Sequence, residues 1–369
     1  MSAAEEVVTE GQAVEAVPKR AMTLGTGTSL AVLVLLVVIP LFAKNFIIFQ
    51  LTMLLIYGVA VLALNILTGG SGQFSLGQSA FYAIGAYTSA ILMEDFGVNY
   101  ALTLPVAGLL CFVVGYLFGQ PALKLEGHYL ALATFALALS VPQILKYKWL
   151  EGITGGVQGI VLSKPEAPFG LPLTEDQWLY YYCFIVMVIL FWLSHNILNS
   201  RSGRAMMAIR DFPIAADTMG INVRLYKTVT FGISAAITGI AGALSASAIA
   251  FVAPDSFNFF LSIKFLIGLV VGGVGSLAGC IVGGIFYVLV DNSAQALSTF
   301  IKNDLGLQFD LSAYTVFGIL LIALMYMMPM GIVGGVYAAV RSLRGSKAPT
   351  PSERPAVAAS KPAASRQGH

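Results

Sequence analysis

The sequence predicts an all-α membrane protein, a polytopic helical bundle of about ten transmembrane segments. Three observations carry that prediction. Of 369 residues, 57% are hydrophobic and 10% charged, against roughly 25% charged in an ordinary soluble domain. Several apolar runs approach or exceed the ~20 residues that cross a bilayer core as helix. Short polar turns separate these runs, without the alternation of a β-barrel.

Residues 1–28 form a polar tail that begins acidic and ends in Lys19 and Arg20. It is too long and too weakly patterned for a secretory signal, and no small-x-small cleavage site follows, so the first span is expected to be retained. Apolar runs follow at 29–43, 46–67, 74–93, 101–119, 128–146 and 179–198. Lys19 and Arg20 place the N-terminus in the cytoplasm, and six crossings return the chain there, where Arg201, Arg204, Arg210, Arg224 and Lys227 stand; the two signals agree with the positive-inside rule. The connection 147–178, with Glu151, Glu166, Glu175 and Asp176, is then the largest external loop. Beyond the insert at 201–227, 228–252 reads as one span. The stretch from Leu261 to Val290 is divided by GGVGSLAG at 272–279. Two short segments, near 261–276 and 278–291, bring Arg341, Arg344 and Lys347 inside after the last span at 312–328, whereas one helix would leave them outside. A break of that kind is tolerated at membrane depth only where protein or water covers the freed backbone groups. The transmembrane domain is therefore 29–340. The tail 341–369, rich in Ala, Pro and Ser from Gly345 on, is expected to be disordered in the cytoplasm.

The insert RSGRAMMAIRDFPIAADTMGINVRLYK at 201–227 is the most informative segment. Asp211 stands where an N-cap belongs, Pro213 in the first turn where its missing N–H costs nothing, and Gly220 where a left-handed C-cap belongs. About two turns of helix between Phe212 and Met219 are expected, too short to persist in water without resting on something. The insert reads as a handle for a soluble partner.

Elsewhere the segment from Leu64 to Ala90, LNILTGGSGQFSLGQSAFYAIGAYTSA, concentrates small and polar side chains where a lipid-facing helix would carry Leu, Ile and Val. Gln73, Ser75, Gln78 and Ser79 could line a translocation path; close helix packing through Gly77, Gly85 and Ala86 explains the same composition. Lys264 lies within an apolar run, which marks a functional candidate, although snorkelling to the outer interface is the simpler reading. His128 and His195 stand alone near span ends. Cys111, Cys183 and Cys280 are far apart, with no metal or redox spacing. No phosphate-binding G-x-x-x-x-G-K-[ST] loop occurs, so the chain binds no ATP through such a loop and any ATP-derived drive belongs to another polypeptide. Neither an activated nucleophile nor a metal set is legible, and a net charge of +2 gives no reason to expect nucleic acid.

From Leu64 to Pro329 the chain resembles the permease subunits of branched-chain amino-acid ABC importers. The resemblance rests on the 64–90 segment, GHYLALATFALA at 127–138, ITGGVQGI at 153–160, SRSGRAMMAIRDFPIAADTMGINVRLYK at 200–227, APDSF at 253–257, GGVGSLAGCIVGG at 272–284 and PMGIVGG at 329–335. It implies a type II, larger-bundle permease in a bacterial inner membrane. It further implies a second, similar permease, two cytoplasmic ATPases that bind ATP and Mg, and an external solute-binding protein. No cofactor is implied for this chain itself. The insert would be the coupling loop, with Arg204, Arg210, Asp211, Ala215, Ala216, Met219 and Gly220 as its contact residues. It departs from the general Glu-Ala-Ala…Gly pattern, since Ile214 precedes Ala215 and Ala216 while Gly220 is kept. The same machinery carrying another small solute such as a carboxylate, amide or urea, and an ion-coupled secondary transporter, are the competing functions.

Overall fold

The computed structural model describes residues 39–41, 43–122, 128–165, 167, 173–304, 318 and 332–335. The expected spans at 29–43 and 312–328 lie almost wholly outside the described residues, and the tails 1–28 and 341–369 wholly so. Among the described residues the chain is mostly helical: α1 Asn45–Asn65, continued by a π-helical turn Ile66–Gly70, α2 Gln78–Glu94, α3 Tyr100–Ala122, α4 His128–Leu145, a one-turn α5 Glu151–Thr154, α6 Glu175–Asn199, α7 Arg201–Asp211, α8 Pro213–Thr218, α9 Val223–Ile249, α10 Phe259–Gly272 and α11 Leu277–Asp304. Two short strands, β1 Ile160–Val161 and β2 Phe251–Val252, pair antiparallel and tie the 147–178 connection to the end of α9. Lys146 and Asp255 form an ion pair across the same boundary.

Among the described residues, four helices are long and apolar enough to cross a membrane: 45–70, 100–121, 175–199 and 223–249. Those at 129–145, 259–272 and 277–290 are shorter apolar helices. The molecule is a helical membrane protein. The longer helices α1–α4, α6 and α9–α11 coincide with apolar runs of the sequence, with two adjustments. Residues 72–77 are not helical, so the run predicted from 74 begins as helix only at Gln78. Helix α11 continues past Asp291 to Asp304 instead of ending near 291.

Helices α1 and α9 form the centre. Helix α9 packs on α3, α2 and α1, and α1 packs in addition on α11, α6 and α10. Lipid offers no hydrophobic drive between helices, so backbones must approach closely to gain dispersion contact. Glycine permits that approach. A Cβ added at Gly85 would fall onto the backbone of Gly239, and one at Gly242 onto the backbone of Tyr82. Polar side chains close the same seam: Gln78 Nε2 donates to Ser234 Oγ at 3.1 Å, and Thr238 Oγ1 donates to Gln78 Oε1 at 2.6 Å. Leu109, Leu117, Ile189 and Trp192 point outward from α3 and α6 and are exposed, as lipid-facing positions require.

The glycine-rich interruption after α10 is a real break. Gly273 and Gly275 adopt φ of 107° and 83°, which side chains other than glycine rarely accept. Asn65 holds the turn from α1, its Nδ2 donating to Ser276 O at 3.2 Å and its Oδ1 accepting from Gly275 N at 2.7 Å. Helices α10 and α11 then run side by side, with Gly272 against Gly279 and Gly268 against Gly283. The 261–291 stretch is therefore two helices, not one.

Candidate functional site

The insert folds as two helices where the sequence predicts one. Ser200 caps α7, its hydroxyl accepting from Gly203 N at 3.3 Å, and RSGRAMMAIRD contains no proline, so the helix runs through Asp211. This corrects the reading of Asp211 as the cap of the second helix. Phe212 occupies that N-cap position with no side-chain hydrogen bond, and Asp211 Oδ1 instead accepts from Arg210 Nε at 2.8 Å. Pro213 stands in the first turn of α8 as predicted. Gly220 follows α8 with φ of 82°, in the left-handed region that the C-terminal reading requires. Asn222 caps α9 by accepting from Leu225 N at 3.0 Å.

Helix α7 is fastened to the bundle. Gly203, Met206 and Ile209 are buried along one face. Arg204 Nη1 donates to Asn199 O at 3.2 Å, meeting one of the carbonyls left open at the end of α6. Arg210 Nη1 donates to Gly69 O at 2.6 Å, inside the π-helical turn that ends α1. Glycine makes that contact possible: a Cβ on Gly72, whose φ is 71°, would sit 2.9 Å from Arg210 Cγ. On its other side Gly69 abuts Gly275, so the turn lies between the insert and the α10–α11 break. Gln73 adds a second tie. Its Nε2 donates to Ser71 Oγ at 2.7 Å and to Lys227 O at 3.2 Å, while its Oε1 is buried with no partner. A π-helical turn is rare in itself and is found frequently at functional positions.

Helix α8 is different. Ala216 is its buried residue and Ala215 is exposed. Around it Phe212, Ile214 and Met219 are 73%, 83% and 82% exposed, a cluster of large apolar side chains on a six-residue helix. Of these three, the contact residues expected from the sequence include Met219 and omit Phe212 and Ile214, whose exposure depends on how the insert packs on the bundle and leaves no local signal.

The other four candidates, Gln73, Ser75, Gln78 and Ser79, are all buried within the chain. Ser75 Oγ accepts from Gly77 N at 3.2 Å, and Ser79 meets Ser262 twice, through its N–H and its Oγ, both at 2.8 Å. Thr134 Oγ1 accepts from Leu76 N at 3.0 Å and holds this stretch against α4. His195 bonds to Asn199 on the exposed side of α6, and Cys111, Cys183 and Cys280 are free and buried. Among the described residues no three His, Cys, Asp or Glu side chains gather at metal-ligand range.

Comparison with known proteins places this architecture. A family model described as "Branched-chain amino acid transport system / permease component" matches residues 46–329. The high-affinity branched-chain amino acid transport system permease protein LivM of Escherichia coli (strain K12) is 35% identical over 282 residues, covering 70% of this chain and 66% of that protein, just under two thirds of its length. Two proteins of Methanocaldococcus jannaschii also match. One is a probable branched-chain amino acid transport permease protein LivM, 27% identical over 275 residues, 72% of this chain and 77% of the relative. The other is a probable LivH, 26% identical over 266 residues, 70% and 82% respectively. No solved structure matches. With the family model spanning well over half of its length, the chain belongs to the branched-chain amino acid transport system permease family.

Proposed function

We propose that this chain is the membrane-spanning permease subunit of an ATP-binding-cassette importer and carries branched-chain or related amino acids. The observation that supports it best is the division of the insert into a helix tied to the permease body and an exposed apolar tip, the form expected of an element that takes force from a soluble partner. The names of the relatives point the same way, and two distinct permeases match from one organism, as a paired assembly would require. In this reading the transmembrane domain is 29–340, in ten segments of the type II arrangement, in a bacterial inner membrane with both termini and the 201–227 loop cytoplasmic and 147–178 external. The partners are a second homologous permease, two ATPases that bind ATP and Mg, and an external solute-binding protein.

Closure of the ATPase dimer would displace α8, and α7 would follow as a lever. Arg210 would pass that movement to Gly69, and Gly69 to the Gly275 turn against which it packs. The result is rocking of the bundle between inward- and outward-open states. Gln73, Ser75, Gln78 and Ser79 would lie along the path that opens. The buried, unpartnered Gln73 Oε1 is the member of that set best placed to meet a solute or water in another state. Selection would rest with the external binding protein, so weak binding within the permease suffices.

Copurification from the native host in nanodiscs, with mass spectrometry of every retained chain, tests this. Recovery of ATPase subunits and a second permease, followed by ATP-dependent leucine uptake after reconstitution with the binding protein, is expected. A solitary chain that takes up solute on an ion gradient would overturn it.

A further inference from the structure

A cleft of about 560 Å³ opens at the insert end of the bundle, between the last turns of α3 and the start of α9. The two helices lie against each other as far as Gly119, where an added Cβ would stand 3.5 Å from Thr228 Cγ2. The polar lining of the cleft is Tyr116 and Gln120 from α3, with Asn222, Arg224 and Thr228 from the start of α9. Among the described residues that line it, Arg224 is the charged one, and no Asp or Glu is present.

Arg224 differs from the other arginines of the insert. Arg204 and Arg210 direct their guanidinium groups to carbonyls of the bundle. The guanidinium of Arg224 is exposed at the cleft, and among the described residues it has no hydrogen bond or ion pair. Groups able to donate gather beside it. Asn222 accepts from Leu225 N through Oδ1, which leaves its amide N–H groups open, and Gln120 and Tyr116 add an amide and a hydroxyl. A guanidinium among neutral donors, without a carboxylate, suits a phosphate, whose oxygens match its planar fork. The positive-inside rule accounts for a basic residue at this end, but not for a cleft whose uncharged polar groups collect around that residue.

The surface beyond the cleft is apolar. Leu109, Val113 and Leu117 are exposed on α3, and around the helix axis they lie within about 20° (Leu109, Val113) and about 60° (Leu117) of Gln120. From Gln120 to Leu109 this stripe is about 17 Å long, close to the ~15 Å depth of hydrocarbon in one leaflet. We propose that the cleft binds the phosphate of an anionic glycerophospholipid of the cytoplasmic leaflet, with Arg224 as its cation, Gln120 and Asn222 as amide donors and the stripe on α3 receiving an acyl chain. The choice of leaflet rests on the importer reading above; the choice of a lipid phosphate rests on the cleft and the stripe. Basic pockets between helices on that side of a membrane take such headgroups, and anionic lipids are concentrated there. Asn222 is both a wall of the cleft and the cap of α9, so bound lipid would steady the point where the insert enters the bundle.

Native mass spectrometry of the full-length chain, titrated in detergent with palmitoyl-oleoyl phosphatidylglycerol, palmitoyl-oleoyl phosphatidylcholine or glycerol 1-phosphate, tests the proposal. Phosphatidylglycerol should bind about fivefold more tightly than phosphatidylcholine, the factor expected of one basic residue at an anionic surface. Glycerol 1-phosphate, which has no acyl chain, should neither bind nor compete at the same concentrations. Arg224→Gln should abolish the preference at an unchanged melting temperature, and Arg224→Lys should keep part of it. Arg201→Gln, at an exposed arginine outside the cleft, should leave it intact. Equal binding of the two lipids, a preference unaltered by Arg224→Gln or lost equally with Arg201→Gln, or glycerol 1-phosphate binding as tightly as the lipid would overturn it. In the copurified assembly phosphatidylglycerol should stay bound, and its displacement by ATPase subunits would make the cleft part of their seat and overturn it too. An Arg224-dependent preference in a chain that never recovers an ATPase sinks the importer reading alone, and recovery of ATPases without that preference sinks this site alone.

Discussion

Helices α7 and α8 are separated by one residue, Phe212, yet they are built for opposite ends. Helix α7 buries Met206 and Ile209, caps α6 through Arg204 and reaches into the π turn of α1 through Arg210. Helix α8 buries Ala216 and leaves Ile214 and Met219 outside. A segment that only needed to connect two spans would hide its apolar residues or replace them with polar ones. This one directs its polar contacts to the permease body and keeps its apolar surface for something else. The boundary between the two falls at the Asp211–Phe212–Pro213 corner, which divides the pair into a fastened arm and an exposed tip.

That comparison can be broken at several points. The largest effect is expected at the seat of the fixed arm. A Cβ on Gly69 would lie 2.6 Å from Asn65 Oδ1 and 2.7 Å from Gly275 N, and the backbone cannot give way. Gly69→Val should cost about 3 kcal/mol and lower the melting temperature in nanodiscs; an unchanged melt would show that the seat yields. Arg210→Glu removes a charge-assisted hydrogen bond worth about 2 kcal/mol. Transport should collapse while the ATPase stays bound, and parallel loss of both would place Arg210 at the tip instead. Ile214→Asp should do the converse, leaving the melt within about 0.5 kcal/mol and weakening ATPase retention roughly tenfold.

Two smaller changes sharpen the division. A Cβ at Gly220 would meet nothing within 4 Å, so Gly220→Val faces only the conformational penalty of φ 82°, about 1 kcal/mol. Partial uncoupling with the protein still in the membrane is expected. Asp211→Asn removes an exposed pair with the adjacent Arg210 and should change stability by less than about 0.5 kcal/mol, with transport near normal.

Much of this was legible from residue order. The apolar runs mark the helices, Gly220 marks a left-handed stop, and the glycines at 272–279 mark a break, because each depends on neighbours in sequence. Asp211 misled for a local reason: its cap chemistry was sound, but the helix Arg201–Asp211 is competent on its own and claimed it first. What stayed hidden is long-range. Nothing near Arg210 points to Gly69, 141 positions away, nor does Asn65 announce that it will hold a turn 210 positions later. Arg224 is legible as a cytoplasmic charge, but the cleft beside it exists only when α3 and α9 meet.

The most direct test of the lever is photo-cross-linking from single benzoyl-phenylalanine substitutions in the assembled complex. Positions 214 and 219 should each yield an adduct with an ATPase subunit, and positions 206 and 209 should yield adducts only within the permease. Equal ATPase adducts from all four positions, or none from 214 and 219, would contradict the account.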